Sequence, residues 1–146
     1  MLADRRAVMA IEFAVTGPFL ILLAGGLADY GIAFWTRGLL ASSVAQGAEF
    51  ASRVGITVVA ADVKTVVQQR LSLPAAGVTV AGPSCYCITG TPASAAAQPC
   101  GTACSSGAMP GNYVAITASY NYVPTVPGMS AMVGRTFTSK AMIRLQ

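Results

Sequence analysis

The chain has 146 residues, enough for one small domain and an extended element but too few for a separate catalytic module. Hydrophobic residues make up 54% of it and charged residues only 10%, a balance that favours contact with a membrane over a fully water-soluble domain. Because the net charge of +4 comes from scattered Lys and Arg and the chain has no histidine, neither a nucleic-acid-binding protein nor an enzyme is expected, and no cofactor or metal site is predicted.

The first predicted element is a membrane-spanning helix. Residues 7–28 are apolar apart from one glutamate and one threonine, and at about 1.5 Å per residue a helix of this length measures about 33 Å, enough to cross a bilayer core. Arg5 and Arg6 precede the run, so the positive-inside bias places the N-terminus in the cytoplasm and everything after about residue 30 outside it. Gly17-Pro18 predicts a kink, because proline removes one backbone hydrogen bond.

A cleavable secretory signal is the alternative interpretation of the same stretch. Its features would be the two arginines, an apolar centre over residues 19–24, and the small residues Gly26 and Ala28 before a signal-peptidase cut. Glu12 argues against this interpretation, because a carboxylate in the membrane costs on the order of 2.5 to 3.5 kcal/mol and a discarded signal gains nothing from it. We therefore expect Glu12 to have a partner.

A new amino terminus would be such a partner. If a peptidase cut between Ala7 and Val8, the Val8 ammonium would lie one helical turn from the Glu12 carboxylate, or within its reach on an adjacent packed helix. The two arginines would be left behind on the cytoplasmic side. This spacing predicts a processing site at Ala7 and Val8.

The residues from Arg5 to Ser52 carry a family resemblance. Their sequence is RRAVMAIEFAVTGPFLILLAGGLADYGIAFWTRGLLASSVAQGAEFAS, and it resembles the N-terminal region of TadE-like pseudopilins, the minor pilin-like proteins of bacterial tight-adherence (Flp-type) pilus systems. The resemblance rests on the basic pair, the Glu12-Phe13 dipeptide inside the apolar run, and the polar-aromatic exit over residues 29–35. It implies cleavage before Val8 by a prepilin peptidase and a recognition and assembly role for Glu12 and Phe13. The family usually has glycine before the cut, where this chain has alanine.

The resemblance also implies a function, a location and partners. A minor pseudopilin of this kind is anchored in the bacterial inner membrane, with its N-terminus in the cytoplasm and its head in the periplasm, and enters or primes a pilus at the cell surface. Its partners would be the prepilin peptidase, other pseudopilins, the major Flp-type pilin, the inner-membrane assembly platform and membrane lipid. The alternative is a secreted or membrane-tethered, disulfide-stapled binding domain released by ordinary signal peptidase.

The first helix is predicted to continue beyond the membrane to about Arg53. Glu49 and Arg53 form an i,i+4 pair in the favourable order. One face of this second half carries apolar and small residues at spacings of three and four: Leu40, Val44, Gly47, Ala48, Ala51 and Val54. Two interpretations stay open, because small residues allow another helix to approach closely and the same face would also suit packing on the head's own sheet.

The head is predicted to hold a second helix and a small sheet. Gly55 ends the first helix, and the second begins near Val59 and stops before Pro74 and Gly77. Strands are predicted for GVTVAG, YVAITASYNYV and RTFTSKAMIRL, which alternate apolar and polar residues, and VPTVPGM is a loop that lets the last two pair antiparallel.

The predicted fold class is α+β and pilin-like: a long N-terminal membrane-spanning helix that continues into a small head of antiparallel sheet packed on a second helix. The predicted divisions are a cytoplasmic leader at 1–7, the long helix at 8–54 with its membrane span at about 8–28, and an extracytoplasmic head at 55–146. A cysteine-rich loop is predicted at 82–112.

The four cysteines fall in that loop and are disulfide candidates. A ring between Cys85 and Cys87 would be strained, so two bridges joining this pair to Cys100 and Cys104 are expected. The nested pairing, Cys85 with Cys104 and Cys87 with Cys100, is favoured. A four-thiolate zinc site is the weaker alternative, because one residue between the first two cysteines is too short a spacer and thiols outside the cytoplasm oxidise.

Overall fold

The computed structural model describes residues 2–74, 76–90 and 94–146, with side chains described from Val8 onward. Its elements, in chain order, are α1 (Leu2–Val54), a 3-10 turn (Gly55–Thr57), α2 (Ala60–Arg70), β1 (Gly77–Thr89), β2 (Ser94–Ala97), β3 (Gly111–Asn121), α3 (Ser130–Val133) and β4 (Thr136–Arg144). The predicted α+β class is confirmed, with a long apolar helix followed by a small antiparallel sheet and another helix.

The chain divides into two compact units. The N-terminal unit comprises α1 up to Thr36 together with Tyr122–Arg135, and the head unit comprises Arg37–Asn121 and Thr136–Gln146. Helix α1 is continuous through both units, and Pro18 lies inside it without ending it. The predicted kink at this proline stays a prediction.

The sheet of the head unit has four strands in the order β2-β1-β3-β4, and every neighbouring pair is antiparallel. Strand β3 pairs with β4 from Tyr113 opposite Arg144 to Asn121 opposite Thr136, as the sequence predicted for the last two strands. Strand β1 pairs with β3 with a register shift between Ala81 and Ser84. The alternation of β3 buries Val114, Ile116 and Ala118, so one face of the sheet is available for packing.

The core of the head unit lies between that face of the sheet and two helices. Leu40, Val44 and Ala51 of α1 are buried, as are Val63 and Val67 of α2. Gly47 lies among them, since a Cβ atom at this position would meet side-chain atoms of Val67, Ile116 and Val63. The face of α1 predicted at spacings of three and four therefore packs on α2 and on the head's own sheet, but the prediction is wrong for Val54, which is 40% exposed at the end of the helix. The Glu49–Arg53 ion pair lies on the exposed side of the same helix.

Gly47 supplies a test of this packing with an internal control. In Gly47→Ala the new methyl group would lie inside van der Waals contact with Val67 and 3.3 Å from Cδ1 of Ile116. Overpacking of this kind costs about 1–3 kcal/mol, and alanine recovers at most about 1 kcal/mol of helix propensity. We expect a net loss of about 1 kcal/mol in the free energy of unfolding, measured by urea denaturation of the full chain in detergent.

Gly38→Ala is the matched variant, because nothing lies within 4 Å of a Cβ atom at Gly38 on the same helix. Here only the propensity gain applies, so stability should rise by about 0.5–1 kcal/mol. Equal signs for the two substitutions would contradict the packing described for α1.

Gly55 ends α1 as predicted. Its φ of +72° is in the left-handed region that favours glycine, and a Cβ atom there would lie 2.7 Å from the backbone oxygen of Gln146. The amide of Val58 donates to the Gly55 carbonyl at 3.1 Å and closes the turn, after which α2 begins at Ala60. The C-terminal residue and the end of α1 thus approach each other closely.

The cysteine-rich segment differs from the predicted loop in two ways. Strand β1 runs through Cys85 and Cys87 to Thr89, and β2 pairs with it from Tyr86 opposite Ala97 to Thr89 opposite Ser94. The two bridges join the first pair of cysteines to the second, as expected, but the favoured nested pairing is wrong. The bridges are Cys85–Cys100 and Cys87–Cys104, so the two disulfides cross in sequence.

The hairpin register explains the crossed pairing. Because β2 returns alongside β1, the amide of Gln98 donates to the Cys85 carbonyl at 3.0 Å, which brings the chain directly to Cys100 beside Cys85. Cys100 lies inside a turn in which the Thr102 amide donates to the Pro99 carbonyl at 3.0 Å, and the chain then reaches Cys104. The first cysteine reached after the hairpin therefore bonds to Cys85. All four sulfurs are in disulfides, so the four-thiolate zinc site is also wrong.

Candidate membrane-anchoring and assembly segment

The large apolar side chains of the α1 run are exposed. From Val8 onward its large side chains are between 54% and 73% exposed: Val8, Met9, Ile11, Phe13, Val15, Phe19, Leu20, Ile21, Leu22, Leu23 and Leu27. The helix is long enough to cross a membrane, and its apolar part has a mean hydropathy of 2.0. A core helix of a water-soluble protein would bury such side chains, so the exposure favours a membrane anchor.

Glu12 and Phe13 lie in the first part of this run. Both are exposed, and the Phe13 ring lies over Gly17, with Cε1 3.8 Å from the place of a Cβ atom there. The hydroxyl of Thr16 donates to the backbone carbonyl of Glu12 at 2.8 Å. This hydrogen bond does not involve the Glu12 carboxylate. The polar groups of the run are therefore the carboxylate and a hydroxyl bonded to its own helix.

The predicted processing site is part of the same helix. Val8 and Glu12 are separated by one helical turn, or about 6 Å along the axis, which is the spacing on which the prediction rests. The side chain of Ala7 lies outside the described residues. Cleavage between Ala7 and Val8, and the recognition roles of Glu12 and Phe13, stay predictions.

Asp29 marks the end of the apolar run and has a role that the sequence did not reveal. Asp29 is only 2% exposed, although the large apolar side chains before it on the same helix are exposed to solvent. Its Oδ2 accepts a hydrogen bond from the Val126 amide at 2.7 Å, and its Oδ1 accepts one from the Thr125 amide at 3.1 Å. The Tyr122 hydroxyl donates to the Asp29 backbone carbonyl at 3.0 Å. One carboxylate thus fixes a segment more than ninety residues away in sequence.

That segment, residues 122–135 with Pro124 and Pro127, is called the proline loop below. It also touches the last turn of the apolar run. A Cβ atom at Gly25 would lie 2.9 Å from Cγ2 of Val126, and one at Gly26 would lie 3.9 Å from Sδ of Met129. Gly25 therefore makes room for the loop, whereas the distance at Gly26 is an ordinary van der Waals contact. The sequence gives only a weak signal for this contact, which consists of Gly25 and Gly26, Asp29, and a distant loop with two prolines.

Aromatic side chains follow Asp29 on the exposed side of α1. Tyr30, Phe34 and Trp35 are all exposed, and the Tyr30 and Phe34 ring centroids lie 6.0 Å apart. Aromatic residues are enriched where a membrane-spanning helix meets the headgroups. Their position directly after the apolar run marks the boundary of the candidate span.

The comparison with known proteins agrees with the N-terminal features. No curated protein and no solved structure matches the chain. Residues 7–49 match the family model described as TadE-like protein, a range that contains Glu12-Phe13, the rest of the apolar run, Asp29 and the aromatic exit. The resemblance to TadE-like proteins is thus confirmed over the N-terminal helix, and the chain is consistent with a TadE-like protein.

Proposed function

We propose that this protein is a minor pseudopilin that takes part in the assembly of a tight-adherence, type IV-like pilus and is anchored in the inner membrane by α1. The observation that carries the proposal is the run of exposed large apolar side chains on α1, within the range that matches TadE-like proteins. In a pilus-related protein, one such helix has two uses. It first holds the protein in the membrane, and it then packs among the other subunits. The role is structural rather than enzymatic, which agrees with a chain that has no histidine.

The proposed topology has the N-terminus in the cytoplasm and the head in the periplasm. Two observations support it: Arg5 and Arg6 precede the span, and the head carries two disulfides, which persist in an oxidising compartment. The partners that follow are the prepilin peptidase, other pseudopilins, the major Flp-type pilin and the inner-membrane assembly platform. Incorporation into the pilus is part of the same proposal.

The contact between the proline loop and α1 favours this function over a domain released by signal peptidase. A cut after Gly26 or Ala28 would remove the glycines against which Val126 and Met129 lie. A cut before Val8 leaves that contact and the Asp29 cluster intact. The packing of the mature chain therefore agrees with processing on the cytoplasmic side of the span.

The mature N-terminus tests the proposal directly. Intact-mass and N-terminal peptide mass spectrometry of protein purified from its native membrane is expected to find a chain that begins at Val8. The same protein from cells without prepilin peptidase should keep residues 1–7, and Ala7→Gly, which restores the family's usual residue, should be processed at least as completely. A mature chain that begins at Leu27 or Asp29 would refute the pseudopilin and support the secreted binding domain.

A further inference from the structure

The proline loop is held on α1 at the level where the apolar run ends. Asp29 binds its backbone, and Gly25 and Gly26, which belong to the apolar run, contact Val126 and Met129. At about 1.5 Å of rise per residue, Gly25 lies only about 5 Å before the last apolar residue of the run. If α1 spans a membrane, the loop is therefore at the membrane surface.

The loop exposes large apolar side chains at this level. Val123 is 83% exposed and Met132 is 82% exposed, more than any other large hydrophobic side chain in the described part of the molecule, the membrane-spanning run included. Arg135 is exposed too and lines the same hollow as Val123 and Pro124. Apolar side chains beside a cation are the composition of segments that lie in the headgroup region of a bilayer.

Much of the loop's backbone suits an environment poor in water. Pro124 and Pro127 have no amide hydrogen, and the amides of Thr125 and Val126 are bound by the Asp29 carboxylate. Further amides donate to carbonyls of the loop itself: Met129, Ala131, Met132, Val133 and Gly134. Backbone groups satisfied in this way, the amide of Met132 among them, can approach hydrocarbon without the cost of leaving hydrogen bonds unmade.

We propose that the proline loop is a second membrane contact, which inserts Val123 and Met132 into the interface of the leaflet where the α1 span ends. The partner is the lipid surface itself, and Arg135 faces its phosphate groups. The inference rests on the proposed anchoring of α1 but goes beyond it, because it gives the chain a non-helical segment in the bilayer. Asp29 is then the residue that positions the loop for lipid.

Quenching of tryptophan fluorescence by brominated lipids tests the proposal on the full chain. Trp35 is the only tryptophan, so Trp35→Phe supplies a silent background for single reporters. Three are needed: Met132→Trp in the loop, Leu20→Trp in the middle of the span, and Met109→Trp as a reference. Met109 is a methionine of the head unit, 64% exposed, on the cysteine-rich segment that the proposed topology places in water.

The expected result is a graded loss of emission in bilayers of brominated phosphatidylcholine. Met132→Trp should lose about half of its emission or more, because its side chain would lie about 5–10 Å into the boundary between headgroups and acyl chains. Leu20→Trp should be strongly quenched, and Met109→Trp should be hardly quenched at all. If Met132→Trp behaves like Met109→Trp while Leu20→Trp is quenched, the loop does not enter the membrane and the anchoring of α1 stands. If Leu20→Trp is not quenched, the anchoring itself fails.

Two further measurements keep the result specific. Asp29→Asn, in the Met132→Trp background, puts an amide NH₂ against the donors that the carboxylate binds, so the quenching should fall, whereas Asp62→Asn on the exposed surface of α2 should leave it unchanged. A different outcome is that the Met132→Trp emission changes with the protein-to-lipid ratio but is the same in brominated and unbrominated lipid. In that case the loop packs on a second copy of the chain. That outcome overturns the lipid contact.

Discussion

Replacement of Cys87 and Cys104 by serine is expected to lower the free energy of unfolding of the head unit by about 3 kcal/mol, because a bridge between residues 17 apart restricts the unfolded chain by about that amount. The Cys85–Cys100 bridge, with a separation of 15, has a similar expected effect. Since the stability of a domain is typically about 5–15 kcal/mol, either loss would be large.

Paired substitutions distinguish the crossed pairing from the nested one. The double variant Cys85→Ser with Cys100→Ser removes one bridge whole, so it should retain the other and show no free thiol. The double variant Cys85→Ser with Cys104→Ser removes one partner from each bridge, so it should expose two thiols and lose more stability. Urea denaturation and thiol titration with a chromogenic disulfide measure both quantities. If the second variant is the more stable and has no free thiol, the nested pairing is correct.

Glu12→Ala is expected to abolish most pilus assembly if the carboxylate neutralises a mature amino terminus in the membrane. Removal of Glu12 would leave that ammonium unpaired, at a cost on the order of 2.5 to 3.5 kcal/mol by insertion scales. Because about 1.4 kcal/mol corresponds to a factor of ten, the number of pili per cell should fall at least about tenfold, as counted by electron microscopy or immunoblots of sheared fibres.

Two controls separate charge from other effects in this experiment. Glu12→Gln keeps the shape and removes the charge, so it should reproduce the defect. Glu49→Ala removes an exposed glutamate of the same helix, whose pair with Arg53 is worth only about 0.2–0.5 kcal/mol, so assembly should be normal. Glu12→Ala also makes the span more apolar, so the variant should still insert and its membrane level should match the wild type. Normal piliation of Glu12→Ala would end the proposed role of the carboxylate.

Local periodicity accounts for the parts of the fold that the sequence predicted well. Leu40 and Val44 recur at helical spacing, and Val114 and Ile116 occupy alternate positions of a strand. Each pattern therefore predicts which side of its element is buried. Strand β2 was missed because its sequence, SAAA, has no β-branched or aromatic residue and is exposed at every position. Helix α3 was missed because four residues between Gly128 and Gly134 are too few for a periodic pattern.

Long-range partners are the part of the candidate site that sequence patterns do not contain. The Asp29 cluster joins residues separated by 93 to 97 positions, and no local spacing encodes such a contact. The pairing of Cys85 with Cys100 depends in the same way on the register of the β1–β2 hairpin. Glu12, in contrast, could be identified from the sequence, because one charged residue inside an apolar run is a local signal that does not depend on a distant partner.

The crossed disulfides also limit how far the head can be stretched. Fully extended, the chain from Cys85 to Cys104 would span about 65 Å, at roughly 3.4 Å per residue. With both bridges intact, a pulling force passes from Cys85 to Cys87 and across the bridge to Cys104, whose Cα atoms are 5.7 Å apart, so the same stretch yields only about 13 Å. A subunit under tension would therefore lengthen about 50 Å less in its oxidised form than in its reduced form, a difference that single-molecule force spectroscopy resolves.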